Sequence, residues 1–509
     1  MTGGLIQLVA YGEQDLFLTR DPQITFFKVV YRRHTNFSIE QIPQYFISSP
    51  DFGTTSTSII SRQGDLISDI TLVMTLPKIK KTEEQKFAWI RKIGLGMIDY
   101  IEIEIGGQII DRHYGEWINL WHEIFLSPNM TRAFNNMIGN IPEMFDYSDE
   151  KDSYTIYVPM QFWFCKNTGL SIPIVCLQYS DVKIRLVLKE AQKCYLTTPT
   201  NYIELFNDQV NLIEGEYIEQ NINGRIASGI YSHYDIITNR LYYKKITKND
   251  FITISTSAIS VSEINNIIFN DDNNLKYIIN GITSGYGVMP DVNVLSVSYT
   301  KQITQRISLL NCFLIVNYIY LEQEERTRYI QTKHDYLIEQ VSYISQKTIS
   351  GSYSGLGIEI LQPSKFIVWV AQLQYLQDMT NNDYFNYTDS YIYENNKPIG
   401  KNLITNETIQ LDGKERVSFR ESQYFTQIQP YQYAINNINN GINMLSLSIF
   451  PDKYQPSGSC NMSQIDNIVM NIKLQNIINI NNIALFRAYS MNYNVLRIVN
   501  GLAGIVFTR

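Results

Sequence analysis

The chain has 509 residues, of which 44% are hydrophobic and 18% charged, with 36 Tyr, 23 Phe and a formal net charge of −7 at pH 7. This length exceeds one ordinary domain and predicts two or three cores in a soluble globular protein. An acidic balance argues against nucleic acid as the main partner, so no direct nucleic-acid binding is expected. No apolar run is long enough to span a membrane, and the N-terminus lacks the pattern of a secretory signal.

The first segment with β character is "ITFFKVV" at 24–30, which we predict to be the first strand of the first domain. It ends in Arg32, Arg33 and His34. Basic residues next to aromatics suit nucleic acid, but in a net-acidic chain they more often close a strand and form ion pairs. We therefore interpret these three residues as the polar end of a strand.

Strict alternation of apolar and polar residues predicts antiparallel strands with one buried and one hydrated face. "IEIEI" at 101–105 places three isoleucines on one face and Glu102 and Glu104 on the other, and Gly106-Gly107 then predicts a hairpin. Four further segments alternate in the same way: "DITLVMTLP" (69–77), "DVKIRLVLK" (181–189), "LSLSI" (445–449) and "NIVMNIKL" (467–474).

Helical periodicity is rare along the chain. "EWINLWHEIF" at 116–125 predicts an amphipathic helix, and "EQEERTRYIQTK" at 322–333 predicts a polar connecting helix. Strands do not alternate with long helices, which disfavours a parallel α/β sheet. The strand-like segments cluster in 23–190 and 310–500. The Asn-rich stretch 195–305 between them is predicted to be an irregular surface excursion.

Motifs for catalysis or metal binding are missing from the sequence, so no catalytic residue, cofactor or metal is predicted. "GSYSGLG" at 351–357 has Tyr353 where a nucleophilic serine is required. His113, His122 and Glu123 lack the spacing of a zinc site, and His122 is interpreted as a lone surface or boundary residue. The five cysteines show no CxxC spacing, which favours buried free thiols in a reducing compartment. Of five glycosylation sequons, the loop-like ones predict acceptors at Asn386 and Asn406.

"GGLIQLVAYGEQDLFLTRDPQITFFKVVYRRHTNF" at 3–37 closely resembles the N-terminus of major capsid proteins of nucleocytoplasmic large DNA viruses, of the chlorovirus, iridovirus and mimivirus type. The likeness covers both ends and the middle of the chain and leaves chiefly 195–305 outside. One departure is Arg20-Asp21, where the family more often has a small, turn-forming pair. Further similar segments follow in order: "RQGDLISDI" (62–70), "LQYSDVKIRL" (177–186), "YIYLEQEERTRY" (318–329), "HDYLIEQV" (334–341), "YFTQIQPYQ" (424–432), "YQPSGSCNMSQIDN" (454–467) and "YSMNYNVLRIVNGLAGI" (489–505).

The resemblance implies an all-β double jelly roll, which is two eight-stranded antiparallel β-sandwiches side by side, with long loops and a few short helices. It implies an N-terminal arm at 1–22, a first jelly roll at 23–322 that includes the insertion at about 195–305, and a second jelly roll at 323–509. It also implies a homotrimer that forms a pseudo-hexagonal capsomer, and these capsomers tile the icosahedral shell of a virion assembled in the host cytoplasm.

The resemblance further implies partners for individual segments. These partners are neighbouring capsomers, minor capsid proteins, the internal viral membrane and the host surface. The arm residues Leu5, Ile6, Leu8 and Val9 are expected to face minor capsid proteins or the membrane. The alternative is an arm packed against its own domain. Arg32, Arg33 and His34 are expected to contact an adjacent subunit, and 195–305 to lie on the outer face.

Two other functions remain open from the sequence. One is a capsid paralogue of lower abundance. The other is a β-sandwich protein that binds carbohydrate or hydrolyses glycosides, for which two carboxylates about 5–10 Å apart would be needed.

Overall fold

The computed structural model describes residues 3–10, 12–80, 85–206, 209–252, 277–291, 297–298, 306–394, 396–436, 438 and 441–507. Within those ranges the chain consists mainly of antiparallel strands joined by loops and short helices. None of the helices described is long and apolar enough to cross a membrane. The helices are α1 (Gly3–Val9), α2 (Glu13–Thr19), α3 (Ile93–Gly96), α4 (Gly115–Phe125), α5 (Thr131–Met137), α6 (Pro142–Phe145), α7 (Trp163–Lys166), α8 (Gln323–Gln331) and α9 (Gln429–Tyr433).

The strands of the first half of the chain are β1 (Phe37–Tyr45), β2 (Thr55–Ile59), β3 (Leu66–Leu76), β4 (Lys86–Trp89), β5 (Ile98–Ile105), β6 (Gln108–Tyr114), β7 (Tyr154–Pro159), β8 (Val182–Leu188), β9 (Tyr195–Thr198), β10 (Asn201–Glu204), β11 (Tyr217–Ile222), β12 (Arg225–Asp235) and β13 (Arg240–Lys245). Those that follow are β14 (Ile279–Gly281), β15 (Gly287–Val288), β16 (Val297–Ser298), β17 (Asn311–Leu321), β18 (His334–Ile349), β19 (Tyr353–Ile358), β20 (Pro363–Leu373), β21 (Tyr393–Glu394), β22 (Lys397–Pro398), β23 (Ile404–Leu411), β24 (Lys414–Glu421), β25 (Ile442–Ser446), β26 (Cys460–Asn461), β27 (Ile468–Leu474), β28 (Ala484–Val499) and β29 (Leu502–Ile505).

The first sandwich consists of two four-stranded sheets. Sheet I has the order β1-β17-β3-β7 and sheet II the order β2-β8-β5-β6. The alternation predicted for β3 and β8 is confirmed, because their alternating apolar residues are buried and face each other in one apolar core. The hairpin predicted at Gly106-Gly107 is also confirmed, since β5 pairs with β6 and both glycines have positive φ, 60° and 86°.

The second sandwich repeats this arrangement. Sheet III has the order β18-β28-β20-β25, to which the short β26 and β29 are added, and sheet IV has the order β19-β27-β23-β24. The alternating residues of β27 are buried as predicted, and Trp369 on β20 is fully buried beneath them. The alternation predicted for "LSLSI" holds only at its start, because β25 ends at Ser446 and Ile449 is 63% exposed.

The stretch 195–305 is more regular than predicted. Its strands β10 to β16 form a seven-stranded antiparallel sheet V, in the order β15-β14-β11-β12-β13-β10-β16. This sheet has its own apolar cluster, which includes Ile203, Ile218 and Leu241. The chain then returns to the first sandwich as β17, which lies between β1 and β3. The insertion therefore forms a separate sheet with its own apolar cluster, and the core of the first sandwich remains continuous.

Two local predictions are wrong. Residues 24–30 form no strand, and the first strand begins at Phe37. A strand requires a partner edge, and this segment pairs with none of the residues that the structure describes. Glu102 is not hydrated: its side chain is fully buried, and its two oxygens pair with Arg112 at 2.7 Å and Arg185 at 3.0 Å. The hydrated face of β5 is thus covered by arginine side chains from the strands on either side.

Candidate assembly surfaces and the joint between the sandwiches

Helix α4 joins the two sandwiches through apolar contacts. Its predicted apolar face packs on sheet III of the second sandwich, where Trp117 stacks near Phe366 and Tyr489. Sheet III is therefore covered on both faces, by the core of its own sandwich and by a helix from the first half. This explains why nearly every residue of β20 is buried and why its sequence is almost continuously apolar.

A buried ion pair lies beside this helix. The guanidinium of Arg487 donates two hydrogen bonds of 2.7 Å to Glu116 on α4, and the Tyr489 hydroxyl donates a third of 2.7 Å. Burial alone would raise the pKa of Glu116, but the charge and hydrogen bonds of Arg487 hold that pKa below its usual value. A bidentate pair fixes both position and angle, so it sets how the sandwiches sit against each other.

The backbone also crosses the joint, at the edge where β6 approaches β18. The amide of Val341 donates to Asp111 at 2.9 Å, and the Gln340 side chain donates to the carbonyl oxygen of Ile110. Strand β29 lies against the same β6, where the Gln108 side chain accepts from the amide of Ile505 at 3.0 Å. The sandwiches therefore share apolar, ionic and backbone contacts, as expected of one rigid unit.

The histidines considered as metal ligands have structural roles. His113 is buried and lies 2.8 Å from an oxygen of Asp111. His122 is not a surface or boundary residue, because it is 4% exposed, stacks on Phe134 and contacts the carbonyl oxygen of Ile118 at 2.7 Å. Burial lowers the pKa of His122 to about 4. Among the residues that the structure describes, no group of His, Cys, Asp and Glu is arranged to hold a metal ion.

The described residues of the N-terminal segment, 3–10 and 12–36, lie outside both sandwiches. Helix α1 buries none of its residues, and Leu5, Ile6, Leu8 and Val9 are 52–77% exposed. The alternative of an arm packed on its own domain therefore disagrees with the structure. A second group of large apolar side chains follows helix α2 and is also exposed to solvent. It comprises Ile24, Phe26, Phe27, Val29, Val30 and Tyr31, which are 67–97% exposed.

Arg32, Arg33 and His34 are also exposed, in the extended stretch before β1. The His34 ring contacts the carbonyl oxygen of Thr35 at 2.8 Å. They do not close a strand, contrary to the prediction, because no strand precedes them in the described ranges 3–10 and 12–31. Their contact with an adjacent subunit stays a prediction.

The two predicted glycan acceptors differ in the folded chain. Asn386 is fully buried, and its amide nitrogen donates to Asp383 at 3.1 Å and to the carbonyl oxygen of Ser390 at 2.8 Å. A glycan has no space there, so the prediction for Asn386 is wrong for this fold. Asn406 is half-buried on β23 and not in a loop. Its modification stays a prediction.

Comparisons with known proteins agree with this architecture. The sequence model "Major capsid protein N-terminus" matches residues 25–243, and "Large eukaryotic DNA virus major capsid protein" matches 325–504. The first match extends into the insertion, so the expectation that 195–243 lies outside the family resemblance is wrong. Probable capsid protein 4 of Acanthamoeba polyphaga mimivirus is 40% identical, over 100% of this chain and 99% of its own length. The major capsid protein of Pyramimonas orientalis virus is 30% identical, over the whole of both chains.

Solved structures have the same fold. A chain of the PBCV-1 virus capsid matches with a TM-score of 0.62 at 22% identity, over 95% of this chain and 100% of that chain. The Faustovirus major capsid protein matches with a TM-score of 0.64 at 12% identity, over 96% of this chain and 94% of that chain. Two fused sandwiches of this kind define the class of viral double jelly-roll capsid proteins. The chain belongs to the family of major capsid proteins of large eukaryotic DNA viruses. Its role is structural, as a subunit of a virus capsid.

Proposed function

We propose that three copies of the chain assemble into a pseudo-hexagonal capsomer, and that capsomers tile the icosahedral shell of a large DNA virus assembled in the host cytoplasm. The rigid joint supports this proposal. Each chain contributes two sandwiches at a fixed angle, so three chains contribute six similar bodies, as a pseudo-hexagonal capsomer requires. In a closed trimer, one face of each subunit contacts a different face of the next subunit, and the third subunit contacts the first.

The observation that carries the proposal is the exposed apolar surface of the N-terminal segment, at 3–10 and 12–36. Soluble monomers rarely leave a contiguous run of large apolar side chains in water, and such runs mark interaction sites. The helical part, with Leu5, Ile6, Leu8 and Val9, faces minor capsid proteins or the internal membrane in this proposal. The extended part, up to Arg32, Arg33 and His34, contacts an adjacent subunit.

The domain organisation follows the same proposal, with an arm at 1–22, a first jelly roll at 23–322 and a second at 323–509. Because the first strand begins at Phe37, the proposal moves the boundary and assigns residues 23–36 to the arm. The insertion around 195–305 lies on the outer face and meets the host surface, and Asn406 carries the glycan if one is attached.

The mass of the purified full chain in solution tests the trimer. Light scattering at micromolar concentration should give three times the 59.1 kDa of one chain. A single-chain mass at that concentration would contradict the proposal, because an obligate interface of this kind is large and apolar at its centre.

A pair of substitutions tests the arm. Replacing Phe26 and Phe27, which are 91% and 97% exposed, with aspartate should weaken assembly without unfolding the sandwiches. The matched control replaces Ile236 and Ile237 at the tip of the β12–β13 hairpin, which are 72% and 94% exposed, and should assemble normally. Equal assembly of the two double variants would show that the arm is not covered by a partner.

A second candidate is a paralogous capsid subunit of lower abundance. The chain is 40% identical to probable capsid protein 4 but 28% identical to capsid protein 1 of the same mimivirus, so related capsid proteins coexist in one virus. Quantitative mass spectrometry of purified virions distinguishes the two roles. The principal subunit outnumbers every other double jelly-roll protein in the particle, and a paralogue does not.

A further inference from the structure

A lysine, an asparagine and a glutamate meet beside helix α4, the helix that joins the two sandwiches. The Nζ atom of Lys92 lies 2.6 Å from Oδ1 of Asn119 and 2.5 Å from an oxygen of Glu123. Asn119 and Glu123 are four residues apart on α4, so both side chains project from the same face of the helix. One amine therefore contacts an amide carbonyl and a carboxylate at the same time.

The backbone holds Lys92 in a fixed and unusual conformation. Its carbonyl oxygen accepts hydrogen bonds of 2.9 Å from the amides of Leu95 and Gly96. Its φ is 52° and its ψ is 45°, in the left-handed region that residues other than glycine rarely adopt. Such conformations persist only where the surrounding structure holds them, and they cluster at functional sites. The fold therefore places the Lys92 amine against the Asn119 amide.

The three groups are shielded from water. Asn119 is 2% exposed, and the side chains of Lys92 and Glu123 are 14% and 16% exposed. The ring centroid of Phe385, from the second half of the chain, lies 5.7 Å from the Lys92 ammonium. The hydroxyl of the buried Tyr387 lies next to the Asn119 side chain. This enclosure keeps water from competing with the amine as a nucleophile.

The combination of groups is suited to amide exchange. A lysine amine is a nucleophile, and a carboxylate in contact with it can act as its general base. Contact between the amine and the amide replaces a bimolecular encounter, which is the largest barrier for two weakly reactive groups. A structural ion pair requires only the lysine and the carboxylate, as at Lys365 and Glu339. The Asn119 carbonyl is the additional group at Lys92.

We propose that Lys92 and Asn119 react to form an intramolecular isopeptide bond, with Glu123 as the catalytic base and acid. The two residues are 27 positions apart in the chain. The bond attaches α4 covalently to the segment that follows β4, so the helix on which the second sandwich packs is fixed to the first sandwich. This inference does not depend on the oligomeric state of the protein.

The reaction exchanges one amine for another. Glu123 accepts a proton from the Lys92 ammonium, and the lone pair of the neutral Nζ forms a bond to Cγ of Asn119 while the C=O electron pair moves to Oδ1. Glu123 gives its proton to Nδ2 and takes one from the attacking nitrogen. The electron pair returns from Oδ1, the Cγ–Nδ2 bond breaks, and ammonia leaves and accepts the proton held by Glu123. The products are a secondary amide and ammonium, and no oxidant, reductant or other reactant is consumed.

The mass of the intact full chain, measured after denaturation, tests the bond. We expect the wild type to be lighter than the mass of its sequence by one ammonia. Trypsin cleaves after a free lysine, so the denatured wild type should resist cleavage after Lys92. Its digest should contain one branched peptide with both Lys92 and Asn119. Lys365 is the internal control: it contacts Glu339 and the carbonyl oxygen of Lys453, so trypsin should cleave after it.

Two conservative variants separate the reaction from the ion pair. Lys92→Arg keeps the positive charge, but its guanidinium stays protonated and is not a nucleophile. Glu123→Gln keeps the shape of the side chain but accepts no proton. Both variants should have the full mass of their sequences, and trypsin should cleave Glu123→Gln after Lys92. A wild type of full mass, or a loss of ammonia that persists in both variants, would overturn the inference. The second result would assign the loss to cyclisation of another asparagine.

Discussion

Replacing Glu407 with glutamine tests whether a carboxyl group in the core of the second sandwich stays protonated at neutral pH. Glu407 lies on β23, is fully buried and accepts a hydrogen bond of 2.6 Å from the indole N–H of Trp369. Its other oxygen has no partner among the described residues. Burial raises the pKa of Glu407 to about 8, although the bond from Trp369 acts in the opposite direction.

The size of the effect follows from proton linkage. One pKa unit corresponds to about 1.4 kcal/mol, so a rise from 4.5 to about 8 is worth about 5 kcal/mol. Below pH 4.5 the carboxyl group is protonated in both the folded and the unfolded chain, and its contribution to stability is fully present. As the pH rises towards 8 only the unfolded chain loses the proton, so stability falls across this window. Above it the contribution is gone and the curve flattens.

The assay is calorimetric melting of the wild type and of Glu407→Gln at about pH 5, 7 and 9. Glutamine cannot ionise. The melting temperature of the variant minus that of the wild type should therefore increase as the pH rises. Infrared spectra at neutral pH should show the carbonyl band of a protonated carboxyl group in the wild type and not in the variant. The control is Glu415→Gln on the adjacent strand β24, whose side chain is exposed.

A constant difference in melting temperature across this pH range would refute the reasoning, as would the absence of the protonated-carboxyl band. Either result would mean that Glu407 is ionised in the folded chain and that a polar group or water reaches its free oxygen.

Three further predictions concern the joint, two glycines and the insertion. Glu116→Gln leaves the buried guanidinium of Arg487 without its carboxylate and should cost about 3–5 kcal/mol by thermal unfolding at neutral pH. Because the pKa of Glu116 is lowered by folding, this loss should shrink as the pH falls below the ordinary value of 4.5. Gly115→Ala should disrupt the start of α4, because a Cβ there would lie 2.2 Å from a backbone oxygen, whereas Gly107→Ala meets open space and costs only about 1–2 kcal/mol of backbone strain. Protease treatment of intact particles should cleave within 195–305 before either sandwich, and earlier cleavage in a sandwich would contradict the outer placement of the insertion.

Several elements were predictable because their signal is local. The alternating residues of β3, β8 and β27 and the Gly106-Gly107 turn specify strand faces and a hairpin without reference to distant residues. The amphipathic face of α4 was equally clear, although nothing in its sequence shows that it packs on the second sandwich. The family resemblance supplied the order of the two sandwiches, which periodicity alone does not show.

Tertiary structure decided the features that depend on a partner elsewhere in the chain. "ITFFKVV" at 24–30 has the pattern of a strand, but a strand forms only beside a partner edge, and the described part of the chain provides none. Glu102 alternates like a hydrated residue, yet arginines from neighbouring strands cover it. Asn386 has the sequence pattern of a glycan acceptor in a loop. In the folded chain it is fully buried, and its amide nitrogen donates hydrogen bonds to Asp383 and Ser390.

For β3, β8 and β27 the sequence by itself therefore determined that a strand forms and which of its faces is apolar, because both follow from a period of two along the chain. Only the tertiary structure decided which charged and polar residues are buried, since that depends on what packs against them from other elements.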